Sequence, residues 1–152
     1  MNVPQDFKEF IELLNKHGVE YLIVGGYALG YHSRPKFTQD IDFWVGRDES
    51  NAQKVMNVLD DFGFGQLDIR VEDLTSENKI IQLGNAPLRI DIIMSVTGLE
   101  FQSAFKNRVH AQYMGVTANF ISLPDLITNK KSTGRQKDVE DLNWIERYSR
   151  KG

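Results

Sequence analysis

The sequence predicts an α+β (mixed α/β) fold, in which a mixed β-sheet is flanked by helices. The predicted elements run helix, strand, short helix, strand, helix, a series of strands and two helices, which is not the strict alternation of a parallel βαβ fold. The chain has 152 residues, 41% of them hydrophobic, which suits one globular domain. We therefore expect a single domain over residues 1–152, with a C-terminal helical segment at about 122–150.

Apolar periodicity predicts the elements of the first half. A helix is expected around Phe7–Leu14, where apolar residues recur at i, i+3, i+4 and i+7, and an apolar strand follows at Tyr21–Val24. Gly25 and Gly26 break this strand, and a short helix is expected at Tyr27–Tyr31. The next predicted elements are a strand at Asp40–Val45 and an amphipathic helix around 52–59, capped by Ser50 or Asn51.

Strand pairs and two helices are predicted for the second half. Strands at 79–83 and 88–94 flank the turn Gly84–Pro87, which predicts a hairpin, and strands at 109–114 and 116–121 meet at Gly115. Ser122 is expected to cap a helix that has Pro124 in its first turn. A last helix carries Val139, Leu142, Ile145 and Tyr148.

Composition excludes several classes of protein. The absence of cysteine excludes a disulfide framework, thiol catalysis and thiolate metal sites. No signal-peptide pattern is visible and no apolar run reaches the roughly 20 residues of a membrane span, so we expect a soluble, cytoplasmic protein without a membrane partner. The net charge is −3, but residues 101–152 carry 9 Lys and Arg against 5 Asp and Glu. This basic end is either a solvated helix face or a surface that attracts phosphate.

Carboxylates on strands are the first candidates for chemistry. Because side chains alternate along a strand, Asp40, Asp42 and Trp44 share one face of the predicted strand. The two carboxylates then stand about 6.6 Å apart at their Cα atoms, and side chains that lean together can hold a pair of Mg²⁺ ions. The alternative is an ordinary solvated acidic pair at the end of a strand.

A third carboxylate, Asp91, lies within an otherwise apolar strand. A buried charge is costly without partners, so Asp91 needs a cation or a hydrogen bond. If its strand neighbours that of Asp40 and Asp42, three carboxylates converge on one cleft, which requires a cation there. A plain ion pair of Asp91 with Arg89, Arg70 or Lys79 is the alternative.

Phosphate-binding features surround these acids. The P-loop, Rossmann and nucleophile-elbow motifs are absent, but Gly25-Gly26 follows an apolar strand and opens a short helix, where backbone N–H groups favour an anion. The loop after it carries Arg34, Lys36 and Thr38, which could contact a triphosphate. Each feature has a structural alternative, namely a simple turn and an exposed loop.

Lys130 is a further candidate, since helical spacing places it on the apolar stripe with Leu123, Leu126 and Ile127. A lysine on an inward face either snorkels or reaches an anion. The acids of the last helix, Asp138 and Asp141, are expected to have a mainly structural role in its first turn, because acids there are favourable to the helix dipole.

Taken together, these motifs resemble the nucleotidyltransferase superfamily of the DNA polymerase β type. The signature of that superfamily is a Gly-Gly or Gly-Ser turn, Asp-x-Asp or Asp-x-Glu, and a third acid further along. The matching stretches here are Val24–Ala28, Thr38–Asp42 and Asp91. Leu123–Leu142 resembles the tail of small bacterial stand-alone members, which include AbiEii-like toxin nucleotidyltransferases.

The resemblance implies a function and a set of roles. It implies Mg²⁺-dependent transfer of a nucleoside monophosphate from a nucleoside triphosphate such as ATP to a hydroxyl, with Mn²⁺ as a possible substitute. Asp40, Asp42 and Asp91 would be the catalytic acids and metal ligands. Gly25 and Gly26 would line the triphosphate, with Arg34, Lys36, Thr38 and Lys130 as further nucleotide-binding residues. Gly26 stands where many members have serine.

The acceptor is left open by the sequence: an RNA end such as that of a tRNA, a protein side chain or a small molecule. One alternative is a catalytically weak or silent subunit of a toxin–antitoxin pair that binds a protein partner. Another is an antibiotic nucleotidyltransferase that modifies a small-molecule hydroxyl. Plain RNA binding is disfavoured, because no aromatic RNP-like pattern is present.

Overall fold

The computed structural model describes residues 3–35, 38–65, 67–84 and 89–149. Within them lie seven helices and six strands. In chain order these are α1 Val3–Lys16, β1 Tyr21–Val24, α2 Gly25–His32, β2 Asp40–Val45, α3 Glu49–Phe62, α4 Val71–Thr75, β3 Ile80–Leu83, β4 Arg89–Ile93, α5 Phe101–Lys106, β5 Val109–Tyr113, β6 Val116–Phe120, α6 Leu123–Thr133 and α7 Gln136–Tyr148.

The six strands form one mixed sheet in the order β3-β4-β2-β1-β6-β5. Three pairs of neighbours are antiparallel: β3 with β4, β1 with β2, and β5 with β6. The β2–β4 and β1–β6 pairs are parallel. This mixed sheet confirms the predicted fold class, and the antiparallel β3–β4 and β5–β6 pairs confirm that each predicted strand pair associates.

Side chains alternate along β2, so successive residues of this strand contact different helices on the two faces of the sheet. Phe43, which is fully buried, points to one face and packs against Phe10 of α1 with ring centroids 5.2 Å apart. Trp44 points to the other face and meets Phe101 of α5 edge-on. Asp40 and Asp42 lie on the same face of the sheet as Trp44, at positions that are outside the apolar core.

Some local predictions were wrong. The cap of α3 is Asp48, whose carboxylate accepts from the backbone N–H of Asn51, and not Ser50 or Asn51. Gly25 and Gly26 form the first turn of α2 rather than a turn before it. The short helices α4 and α5 were not predicted, because five and six residues are too few to show a helical period.

Within the described residues, no helix combines the length and the apolar character that crossing a membrane demands.

Candidate active site

A cleft of about 840 Å³ opens beside the sheet face that carries the β2 acids. The start of α2 and the acids of β2 form part of its wall, and the segments 77–80 and 93–97 form another part. The C-terminal part of α6 and the first turns of α7 complete the wall. The polypeptide thus brings distant segments of the chain around one cavity.

The parallel pairing of β2 and β4 brings the three predicted acids together. Asp42 lies opposite Asp91 in the register, and Asp40 lies opposite Arg89. The side chains of Asp42 and Asp91 share a hydrogen bond. Asp40 and Asp42 line the cleft, whereas Asp91 is not among the residues of the cleft wall and is only 7% exposed.

Arg89 bridges two of these acids. Its Nε donates to Asp91 Oδ1 at 2.6 Å, and its Nη2 donates to Asp91 Oδ2 and to Asp40 Oδ2, each at 3.0 Å. The hydrogen bonds to Asp91 raise the pKa of Arg89 above its ordinary value. Of the three cations considered for Asp91 from the sequence, Arg89 is therefore its partner, and the same guanidinium also fixes Asp40.

Asp42 carries the most perturbed carboxyl of the three. Burial raises its pKa from 3.8 to about 6, and the charges of Asp91 and Asp40 and the hydrogen bond with Asp91 act in the same direction. The charge of Lys137 acts in the opposite direction. Negative charge is thus crowded at Asp42, and a strongly perturbed carboxyl in a cleft is a feature of functional sites.

The donor set fits a divalent cation in its chemistry. Carboxylate oxygens are the ligands that Mg²⁺ prefers, and the raised pKa of Asp42 shows that further positive charge would be favourable there. In the described part of the chain, however, no group of three or more His, Cys, Asp or Glu side chains is already arranged to hold a metal. Arg89 holds two of the three carboxylates, so a metal would have to draw them away from the guanidinium.

A helix start with two glycines stands next to these acids. Gly25 has φ +68°, and a Cβ on it would overlap Asp42 Oδ2, so glycine allows the backbone to lie against the carboxylate. A Cβ on Gly26 would lie 2.8 Å from Thr38 Oγ1. No side chain caps the N-terminus of α2, which leaves its first N–H groups open to an anion.

The predicted loop residues have different locations. Thr38 lines the cleft, and its hydroxyl donates to the backbone oxygen of Asp40 at 3.3 Å. Arg34 is absent from the cleft wall; its guanidinium lies over the ring of Tyr148, 5.2 Å from the centroid. Lys36 lies outside the described residues. The cleft geometry therefore gives no support to a nucleotide-binding role for Arg34, which stays a prediction.

Lys130 lines the cleft but belongs to a buried ion cluster. Its Nζ lies 3.0 Å from Asp141 Oδ2 and 3.5 Å from Asp138 Oδ1. Asp138 also accepts from Arg135 Nε at 2.8 Å and from the hydroxyl of Thr133. The cluster links α6 to α7. Asp138 and Asp141 therefore have a structural role, as expected, but its cause is these ion pairs rather than the helix dipole. Asp141 also lies beyond the first turn of α7.

Two residues near the acids were not assigned a site role from the sequence. Arg89 was considered only as an ion-pair partner, and its bridge to Asp40 depends on the β2–β4 register. Lys137 lines the cleft, and its charge reaches Asp42. The sequence indicated a role for Lys137 only through its position next to Asp138. The packing of α7 is what shows that Lys137 faces the cleft.

The family comparison gives a clear match. The family model DUF6036, described as a nucleotidyltransferase of unknown function, matches residues 3–147. No curated protein matches the sequence.

Two solved structures share the fold. TM1012 from Thermotoga maritima, a presumed nucleotidyltransferase, superposes with a TM-score of 0.64 at 17% identity, covering 94% of this chain and 92% of that one. The lincosamide antibiotic adenylyltransferase LnuA, in a lincomycin-bound structure, superposes with a TM-score of 0.61 at 17% identity, covering 93% of this chain and 95% of that one. At this identity the likeness concerns the fold.

Proposed function

Because the chain belongs to the nucleotidyltransferase family DUF6036, we propose that it transfers a nucleoside monophosphate from a nucleoside triphosphate to a hydroxyl group, with Mg²⁺ as cofactor. One observation carries this proposal: the uncapped N-terminus of α2 lies directly against Asp42, which in turn contacts Asp91. An anion-binding turn beside paired carboxylates is the arrangement that phosphoryl transfer needs, since catalysis there is mostly positioning and charge neutralisation.

In this proposal the N–H groups of Gly25 and Gly26 and the hydroxyl of Thr38 bind the phosphate chain. Lys130 lies in the same wall, where Asp138 and Asp141 already pair with its charge. These donors would hold the pyrophosphate portion while the α-phosphorus lies beside Asp42. The fixed backbone donors need no rearrangement as charge develops on the leaving group, which is the basis of electrostatic preorganisation.

Asp40, Asp42 and Asp91 would hold Mg²⁺ or Mn²⁺, which fits their oxygen donors. When bound, the metal would neutralise phosphate charge and lower the pKa of the attacking hydroxyl. The acceptor oxygen bonds to the α-phosphorus, the bond from that phosphorus to the bridging oxygen breaks, and pyrophosphate leaves. The ionised carboxylate of Asp42, which lies beside Asp91, takes up the hydroxyl proton.

The test measures the binding of each of the four nucleoside triphosphates with and without Mg²⁺, followed by amide NMR shifts. We expect Mg²⁺-dependent binding that shifts Gly25 and Gly26, and loss of that binding in Asp40→Ala/Asp42→Ala. Asp68→Asn is the matched control, because the Asp68 side chain is 90% exposed. Nucleotide binding that is unchanged in the double variant would contradict the proposal. Binding without transfer would favour the alternative of a silent subunit of a toxin–antitoxin pair.

For the acceptor we propose a small uncharged molecule that bears a hydroxyl, as in the antibiotic nucleotidyltransferase alternative. The supporting observation is the cleft wall beside β3 and β4, where Ile80 is 62% exposed next to Ile93 and Val96. The charges of this wall are already paired, Glu77 with Arg47 and Lys79 with Asp73. An RNA end would require cations available for its phosphates.

The acceptor proposal is tested by incubating the protein with α-³²P-labelled nucleoside triphosphate and either total RNA, protein, or a small-molecule extract of bacterial cells. We expect the label in the small-molecule fraction, and less of it with Ile80→Lys, which places a charge on the apolar wall. Label in RNA or protein would contradict the proposal.

A further inference from the structure

Four basic side chains line the cleft, and three of them are committed to carboxylates. The four are Lys79, Lys130, Arg135 and Lys137. Lys79 pairs with Asp73, Lys130 with Asp138 and Asp141, and Arg135 with Asp138. Among residues 3–35, 38–65, 67–84 and 89–149, no carboxylate lies within ion-pair distance of Lys137. Lys137 is therefore the cleft cation whose charge is not already neutralised within this part of the chain.

Lys137 is also close to the reactive end of the cleft. It lies in the first turn of α7, its side chain is exposed, and it lines the same cavity as Gly25, Gly26 and Asp42. Its charge acts on Asp42 and opposes the burial and the neighbouring carboxylates that raise the pKa of that carboxyl. An ammonium group in this position faces the space where the uncapped N-terminus of α2 also favours an anion.

The backbone of Lys137 is held firmly although its side chain is exposed. The next residue, Asp138, is 1% exposed and accepts from Arg135 and from the hydroxyl of Thr133, while Lys130 lies beside it. This cluster fixes the first turn of α7 against the end of α6. The buried ions, which the mechanism does not otherwise use, thus keep Lys137 at the cleft.

We propose that Lys137 binds the phosphate chain of the nucleoside triphosphate, opposite the backbone donors of Gly25 and Gly26. The inference rests on the proposed function and adds a phosphate ligand to it. A lysine suits this task because its ammonium is a compact point charge with three donors that adapts to a flexible polyphosphate. Lys130, already shared by two carboxylates, then contributes chiefly by holding α7 in place.

The experiment measures the dissociation constants of the four nucleoside triphosphates and of inorganic triphosphate by calorimetry in Mg²⁺. The proteins are the wild type, Lys137→Ala, Lys137→Arg and the control Lys131→Ala. Lys131 is exposed on α6 and does not line the cleft. We expect Lys137→Ala to weaken binding about 10- to 100-fold, which is the usual effect of losing a charge-assisted hydrogen bond. Lys137→Arg should recover most of this loss, and Lys131→Ala should bind like the wild type.

Thermal unfolding separates ligand binding from folding, because substitution of an exposed side chain should leave the melting temperature unchanged. If the wild type binds a triphosphate and Lys137→Ala binds it equally well, the inference is overturned while the proposed function stands. An equal loss in Lys131→Ala would also overturn it, since the effect would then be general charge. If the wild type binds neither nucleotides nor inorganic triphosphate, both fail. Lys137-dependent binding without any transfer would support the inference and contradict only the proposed catalysis.

Discussion

Asp42→Asn is expected to stabilise the folded protein at neutral pH. The folded state raises the pKa of Asp42 from 3.8 to about 6, so the protonated carboxyl is the form that the fold favours. The favourable contribution of that proton is fully present below about pH 3.8 and is lost as the pH rises through about 6. At pH 7 the wild type therefore carries an ionised carboxylate that is partly buried and close to two others. Asparagine has nearly the same shape without the charge, and its amide can donate to Asp91.

The size of the effect follows from the shift. A rise from 3.8 to about 6 corresponds to about 3 kcal/mol in the free energy of unfolding, at about 1.4 kcal/mol per pKa unit. Because Asp42 is partly exposed to the cleft, solvent screening reduces the expected gain to about 1–2 kcal/mol at pH 7. The gain should shrink steadily below pH 6 and vanish near pH 4.

The assay is urea unfolding followed by circular dichroism at pH 4, 5, 6 and 7, in a buffer that contains a chelator. The quantity compared is the difference in unfolding free energy between variant and wild type at each pH. Asp68→Asn, with its exposed side chain, serves as control and should show a difference near zero throughout. A variant that is no more stable than the wild type at pH 7, or a difference that does not depend on pH, would refute the reasoning.

Three further predictions concern the turn and the buried cluster. Gly25→Ala should destabilise the protein by about 1–3 kcal/mol more than Gly18→Ala in urea unfolding, because both residues have φ +68° but only Gly25 lies against a carboxylate; equal losses would show that the contact is unimportant. Lys130→Met should lower the unfolding free energy by about 3–5 kcal/mol, because it leaves Asp138 and Asp141 buried without their shared cation. Lys131→Met is the control and should have little effect. Similar losses for the two variants would contradict a stabilising role of the ion cluster. The hydrogen bonds from Arg135 hold the pKa of Asp138 below 3.8, so its stabilising contribution is present above that pH and is lost as the pH falls further. The acid unfolding of Asp138→Asn should accordingly depend less on pH below 4 than that of the wild type, and parallel acid curves would exclude this role.

Much of the fold was predictable because local patterns and burial agree along the chain. The apolar stripe of α1 correctly indicated which of its side chains enter the core, and the alternation along β2 correctly separated the face of Asp40 and Asp42 from that of Phe43. Phe10 and Phe43 meet there, while Asp40 and Asp42 remain on the opposite face. The short helices α4 and α5 and the cap at Asp48 were not predictable in this way, since they depend on only a few residues each.

The candidate site was only partly accessible from the sequence. Gly25-Gly26 and the Asp40–Asp42 pair are local motifs, because the turn and the strand that present them are formed by neighbouring residues. Lys130 was correctly placed on an inward helix face by its spacing from apolar residues. Its two carboxylate partners come from the next helix, and the periodicity of α6 contains no information about them.

The sequence by itself determined the types of the longer elements, the mixed fold class and the residue types from which a phosphate-transfer site can be built. These properties follow from hydrophobic period, turn chemistry and side-chain chemistry, which act over a few residues. Only the tertiary structure decided that Asp42 lies opposite Asp91, that Arg89 bridges Asp91 to Asp40, and that Lys137 faces the same cleft. The reason is physical: these contacts depend on the order and register of strands and on the docking of α7. Both result from the packing of the whole chain and not from any short segment of it.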